Sequence, residues 1–182
     1  MTAIETSSYS ALIKNEVNRH LEDAETSKLS HFYAAAKYEN LHKFWIGLPT
    51  TVAALLLSWL VAQGEGDITS EYSKVIFGLK ICLSLIVAIS SGVSTFLNFN
   101  ELASQHRKAA LNYQEVWRNC KNWETDFPDD TDIVNAKILV QTYRNRMTAI
   151  NQESPQIPKW AWKSVDKQIK EGSTTYDVES QH

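Results

Sequence analysis

Residues 44–62 read FWIGLPTTVAALLLSWLVA, nineteen residues without a charge. As an α-helix this stretch spans about 28 Å, close to the hydrocarbon thickness of a bilayer. A second apolar stretch, residues 75–97, reads VIFGLKICLSLIVAISSGVSTFL and carries a single charge, Lys80. The alternative is a pair of helices buried in a soluble bundle, but TVAALLLSWLVA has no polar stripe wide enough to face water. The two stretches therefore predict two transmembrane helices.

The segment between the two spans, residues 63–74, reads QGEGDITSEYSK and favours a turn, which predicts an antiparallel hairpin. Basic residues on the outer flanks outnumber the single lysine of this segment, and that excess predicts that both termini are cytoplasmic. The flanking residues are Lys37, Lys43, Arg107 and Lys108. The first forty residues are charged and contain no apolar core, so we expect no signal peptide.

The rest of the chain predicts helices at about residues 8–43, 98–126, 131–152 and 159–171, followed by a flexible tail at 172–182. Asp130 or Thr131 is the expected N-cap of the third of these helices. Two apolar seams with alternating spacings of three and four residues run along the second and third helices. The first seam is Leu102, His106, Ala109, Tyr113, Val116, Cys120 and Trp123, and the second is Ile133, Ala136, Val140, Tyr143, Met147 and Ile150.

We expect these seams to pack on the N-terminal helix of the same chain or on each other, in preference to an intermolecular coiled coil, which usually needs more heptads. The predicted fold is therefore all-α. A two-helix transmembrane hairpin is continuous with a cytoplasmic helical bundle, and the whole forms a single domain over residues 1–171.

Composition and motifs argue against several function classes. Eighteen basic and 21 acidic side chains give a net charge of −3, which disfavours a general nucleic-acid binder. Two cysteines do not build a disulfide framework or a four-thiolate zinc site. Phosphate-binding glycine loops, nucleophile elbows and HExxH motifs are all missing from the sequence. We therefore expect no catalytic residues, no metal site and no cofactor, and the chain does not read as an enzyme.

Three histidines, His20, His31 and His42, recur every eleven residues and form a slowly drifting stripe on one helix. Neighbouring members are about 16 Å apart along the axis, too far to share a metal ion. A position at a helix–helix boundary is the favoured interpretation, and a pH-sensing stripe is the weaker alternative.

Small and hydroxylated residues recur on one face of each span, with spacings of three and four. Such residues allow membrane helices to approach closely and to form hydrogen bonds across the contact. One interpretation is that the two stripes meet within the hairpin. The other is that the second-span stripe lines a water-filled path in an oligomer, since one hairpin does not enclose a pore. The candidate residues are Thr51 and Ser58 in the first span, and Ser84, Ala88, Ser91, Thr95 and Asn98 in the second.

Two further residues in the spans have alternative roles. Lys80 lies on the same face as Ser84 and near the outer end of its span, where it can snorkel to the interface. If Lys80 faced a lumen instead, a ring of these lysines would favour anions. Pro49 removes a backbone donor near the cytoplasmic end of the first span, so we expect a bend there, either as a gate or as a static kink.

The order of these elements resembles the SLATT family, the two-transmembrane effectors associated with SMODS nucleotidyltransferases and SLOG sensors. The resemblance is carried by the paired spans, by QHRKAALNY at residues 105–113 and by the PQIP break at 155–158, and it covers most of residues 10–171. The HR-x-A-A-x-x-Y core is its most specific motif. Lys80 inside the second span is a departure that matches no family feature.

The resemblance implies an effector of a bacterial anti-phage or conflict system in the inner membrane. In that account a partner nucleotidyltransferase makes a cyclic nucleotide signal, and the effector then homo-oligomerises into a pore and permeabilises the membrane. His106, Arg107 and Lys108 are candidates for binding an anionic ligand or, preferably, lipid headgroups. The competing hypothesis is a non-conducting membrane anchor whose helical bundle recruits a soluble partner.

Overall fold

The structure, a computed structural model, describes residues 3–62, 71–126 and 132–171, and all of its regular elements in these ranges are helical. This confirms the predicted all-α fold. The elements are α1 (Ala3–Asn40), a π-helix (Leu41–Gly47), α2 (Leu48–Ala62), α3 (Glu71–Leu97), α4 (Phe99–Lys121), α5 (Trp123–Asp126), α6 (Ile133–Glu153) and α7 (Lys159–Lys170).

Two continuous helical stretches, Ser10–Ala62 and Tyr72–Lys121, each contain a window long and apolar enough to cross a membrane. Only 17% of the first window and 6% of the second are buried within the chain. A core helix of a soluble protein is mostly buried, whereas these windows present most of their apolar side chains outward. The structure therefore has the predicted transmembrane hairpin, formed by α2 and α3.

The chain divides into two compact units, which we name the bundle unit (Met1–Ala35 with Ser104–His182) and the hairpin unit (Ala36–Ala103). Helices α1 and α4 contribute residues to both units. The predicted single domain thus has two internal centres of packing, each with its own set of buried side chains.

The core of the bundle unit is built from α1, α4 and α6, as the two apolar seams predict. From Ala109 to Trp123 every predicted member of the first seam is buried, and from Ala136 to Ile150 so is every member of the second. Val17 and Ala24 of α1 belong to the same cluster as Tyr113 and Tyr143. The seams therefore pack within one chain, which confirms the intramolecular interpretation.

Helix boundaries in the bundle unit follow local chemistry. The N-cap of α6 is Asp132, whose carboxylate accepts a hydrogen bond from the backbone N–H of Asn135 at 3.3 Å. The N-cap is therefore Asp132 and not the expected Asp130 or Thr131, two residues that lie outside the described part of the chain. Ser154 precedes Pro155 and is extended, with ψ of 145°, as steric contact with the proline ring requires. The loop at 63–70 and the tail at 172–182 also lie outside the described residues.

Candidate functional site

The two spans meet through large apolar side chains. Ala53 and Leu60 of α2 and Leu83 of α3 are the buried residues of this contact. Leu57, Ile76 and Val87 pack against them and are partly buried. The contact within the hairpin is thus a face of branched aliphatic residues, with one alanine as its only small member among the buried residues described.

The predicted stripe of α3 lies away from that contact. We call Ser84, Ala88, Ser91 and Thr95 the hydroxyl face of α3, and all four are exposed in the single chain. Ser84 donates a hydrogen bond to the carbonyl of Lys80 at 2.8 Å, and Thr95 donates to that of Ser91 at 3.0 Å. Each of these protons is satisfied within the helix, which lets the hydroxyls lie in an apolar medium while their oxygens still accept bonds.

The stripe of α2 behaves in the same way. Thr51 donates to the carbonyl of Gly47 and Ser58 to that of Ala54, each at 2.8 Å, and both side chains are exposed. The two stripes therefore do not form the contact between α2 and α3. The interpretation that they meet within the hairpin is wrong for this structure. In the single chain, the hydroxyl face is left facing outward.

Helix geometry is irregular at one end of each span, close to Pro49 in the first span and at Asn98 after the second. A seven-residue π-helix, Leu41–Gly47, directly precedes α2, and the N–H of Leu48 donates to the carbonyl of Lys43, five residues back. Pro49 lacks an N–H and its ring crowds the carbonyl four residues earlier, so a widened turn at this point relieves both problems. The structure thus has a π-helix directly before Pro49, while the bend expected there stays a prediction.

Asn98, the last residue of the predicted stripe, separates α3 from α4. Its φ of 41° is in the left-handed region, and it is the only non-glycine residue with positive φ in the described part of the chain. Asparagine tolerates this conformation better than most residues. Its N–H still donates to the carbonyl of Ser94, and its own carbonyl accepts from Leu102, so the hydrogen-bonded path continues through the break.

Lys80 is partly buried on α3. Its backbone carbonyl accepts the Ser84 hydroxyl proton, so Lys80 and the hydroxyl face are neighbours as the spacing predicts. The snorkelling and lumen-facing interpretations of its ammonium group both remain predictions.

A second polar site lies in the core of the bundle unit, and the sequence did not predict it. Nδ1 of His31 on α1 lies 2.8 Å from Nδ1 of His106 on α4, and both rings are buried. One ring nitrogen must donate and the other accept, so the pair holds two neutral imidazoles of opposite tautomer. Tyr113 stacks on His31 with ring centroids 5.4 Å apart, and its hydroxyl donates to Oδ1 of Asn151.

The surroundings of this histidine pair favour the uncharged state. Burial and, to a smaller extent, the neighbouring His106 together lower the pKa of His31 to about 4. Burial also lowers the pKa of His106 and raises that of Tyr113. Desolvation disfavours a charge on any of these groups, so the cluster is neutral at pH 7.

The position of His106 corrects one sequence-based expectation. His106 is 2% exposed and bonded to His31, so its ring does not share a surface with Arg107 and Lys108, which are both exposed. The expectation that His106 binds lipid headgroups or an anionic ligand together with Arg107 and Lys108 is therefore wrong. The signal that identifies His106 is its place in the seam, because a buried histidine needs a polar partner.

Other candidate chemistry is sparse in the described ranges. No group of three or more His, Cys, Asp or Glu side chains in them is placed to hold a metal ion. Cys120 is buried, as its place in the seam predicts, and burial raises the pKa of its thiol to about 11, which keeps it protonated. Of the three regularly spaced histidines His20, His31 and His42, only His31 is hydrogen-bonded to another histidine in the described part of the chain.

Comparison with known proteins adds no relative. No protein-family model matches the chain, and neither a curated protein nor a solved structure is significantly similar to it.

Proposed function

We propose that the protein is a two-span membrane effector of a bacterial conflict system, which oligomerises in the inner membrane and opens a pore in response to a cyclic nucleotide signal. The observation that carries the proposal is the outward position of the hydroxyl face of α3. The pairing of α2 with α3 uses a different face, so the small polar side chains are available to other copies of the chain.

The hydroxyl face has the dimensions of a helix contact or pore lining that crosses the membrane. From Ser84 to Thr95 it runs about 17 Å along the helix, more than half of the hydrocarbon thickness. Small side chains allow α3 helices from different copies to approach closely. Because the Ser84 and Thr95 protons are satisfied by backbone carbonyls, the same hydroxyl oxygens can accept bonds from water in an open state.

Opening requires a shift between two packings, and a signal drives it only if it binds the two states differently. The π-helix before Pro49 and the left-handed residue Asn98 are the natural places for such a change. Both lie at the ends of the spans that lead toward the bundle unit in the sequence. In this proposal the bundle unit and both termini are cytoplasmic, where the nucleotide is made.

Flux from liposomes tests the proposal. Purified protein is reconstituted with an encapsulated dye or ion, with and without candidate cyclic nucleotides. We expect leakage that Ser91→Leu reduces, because leucine fills the hydroxyl face. Cys82→Leu is the matched control, since Cys82 is also small and exposed but lies on the other side of α3. Liposomes that never leak under any condition contradict the pore.

A second candidate function is a non-conducting anchor that recruits a soluble partner. Val134 and Ile138 favour it, since these side chains are 71% and 60% exposed and lie one turn apart on the outer side of α6. Val134→Ser with Ile138→Ser removes the apolar pair without touching the spans. Loss of partner recruitment in that variant, with no leakage from wild-type liposomes, favours the anchor over the pore.

A further inference from the structure

We propose that α7 binds the anionic phospholipid surface of the membrane through a face of four lysines. This lysine face consists of Lys159, Lys163, Lys167 and Lys170. At about 100° per residue the four positions fall within a sector of about 80°. The opposite side of α7 carries Ala161 and Val165, which are fully buried in the bundle unit. Packing of α7 therefore turns its lysines outward.

The charge of α7 is opposite in sign to that of the whole chain. Four lysines against one aspartate give α7 a net charge of +3, whereas the full chain carries −3. Lys167 and Lys170 each have an acidic neighbour on the surface, Glu171 at 3.7 Å and Asp166 at 2.8 Å. Lys159 and Lys163 are exposed and make no ion pair with any residue that the structure describes. Two ammonium groups are thus available to an anionic partner.

Two tryptophans flank the lysine face and differ in exposure. Trp160 packs against Tyr33 of α1, with ring centroids 5.9 Å apart, and this contact fastens α7 to the bundle unit. Trp162 is 48% exposed at the other edge. An exposed tryptophan beside lysines is the pairing that suits the headgroup region, where the indole ring lies at the boundary and the ammonium groups meet phosphates.

A lipid surface is favoured over a soluble polyanion because the same chain carries two membrane spans. Tyr33, the contact of α7 on α1, precedes Phe44 and the first apolar stretch by eleven residues. Tethering at so short a chain distance keeps the lipid at a high effective concentration, whereas nucleic acid must arrive by diffusion. The proposal does not depend on conduction, so it survives or fails separately from the pore.

Lysine labelling of the full chain in nanodiscs tests the proposal. Nanodiscs of phosphatidylglycerol are compared with nanodiscs of phosphatidylcholine, and acetylation of each lysine is read by mass spectrometry. Lys137 on α6 is the internal control, since it is exposed and belongs to the same unit. We expect labelling of Lys159 and Lys163, relative to Lys137, to fall at least about threefold in the anionic discs, and about 0.5 M salt to restore it.

A double variant gives a second readout. The contribution of Trp162 to fluorescence is obtained by subtracting the spectrum of Trp162→Phe. We expect this contribution to shift to shorter wavelength in anionic discs, and the shift to disappear in Lys159→Glu with Lys163→Glu but not in Lys137→Glu. Equal labelling of Lys159 and Lys163 in the two lipids overturns the proposal. So does protection by added RNA in phosphatidylcholine discs without protection by phosphatidylglycerol.

Discussion

The Nδ1 atoms of His31 and His106 lie 2.8 Å apart in the core of the bundle unit. The two residues are 75 positions apart in the chain, so this hydrogen bond joins α1 to α4 through two buried side chains. One proton between the two Nδ1 atoms makes a hydrogen bond. A second proton there would make both atoms donors that face each other. The pair therefore makes the packing of α1 on α4 sensitive to acid.

We expect the bundle unit to lose stability as the pH falls below about 6.5, the pKa of histidine in an unfolded chain. The folded-state pKa of His31 is lowered to about 4. Between about pH 6.5 and pH 4, therefore, His31 binds a proton in the unfolded chain but not in the folded chain. The contribution of His31 to the free energy of unfolding is fully present above about pH 6.5. As the pH is lowered from there it falls by about 1.4 kcal/mol per pH unit, and it levels off near pH 4.

Thermal unfolding in detergent micelles, followed by near-ultraviolet circular dichroism, measures this effect. Between about pH 7.5 and about pH 5, His31→Gln should lose about 2 kcal/mol less stability than the wild type, because glutamine does not titrate. Arg19→Gln, an exposed change on the same helix, is the control and should keep the wild-type pH dependence. Identical pH profiles for His31→Gln and wild type would show that this pair does not govern acid sensitivity.

Leu83→Ala should weaken the hairpin, since Leu83 is the buried residue of α3 in the contact with α2. Truncation leaves a cavity at that contact, and the expected loss is about 1–3 kcal/mol. Leu85→Ala is the matched control because Leu85 is 56% exposed, and it should change stability by less than about 0.5 kcal/mol. Unfolding by titration with sodium dodecyl sulfate compares the two variants. Equal losses would place the contact elsewhere.

Washing of cell membranes with alkaline carbonate tests the spans themselves. The exposed apolar windows of the two helical stretches need lipid around them, so the protein should stay in the membrane pellet until detergent is added. A peripheral protein expressed beside it is the control and should be released. Release of this chain without detergent would show that the hairpin does not cross the bilayer.

Sequence periodicity predicted some of these features because they depend on one element at a time. The seam from Ala109 to Trp123 marks buried positions by spacing alone, and Pro49 marks a place where the regular hydrogen-bond pattern is interrupted, because proline has no N–H to donate. The form of that interruption, a π-helix, depends on how neighbouring carbonyls are satisfied. Spacing also grouped Ser84 with Ser91 on one face of α3.

Other features depend on two elements meeting, and spacing alone does not specify them. The partner of His106 is known only when α1 lies beside α4. The rotation of α2 against α3 is set by the fit of Ala53 and Leu60 to Leu83, and that fit turns the hydroxyl face outward. A list of small residues in each span is compatible with either rotation, so the sequence left both interpretations open.

Cysteine accessibility during flux tests the central claim, that the hydroxyl face of α3 lines a conduit between copies. Ser91→Cys is compared with Ile89→Cys, which is the control because Ile89 is exposed on the other side of α3. Both are made in a background with Cys82→Ser and Cys120→Ser, which removes the two native thiols. The proteins are reconstituted in liposomes and treated with a charged thiosulfonate reagent. We predict that Ser91→Cys reacts and its flux falls, while Ile89→Cys stays unreactive in lipid. Reaction of Ile89→Cys with an inert Ser91→Cys would contradict the account.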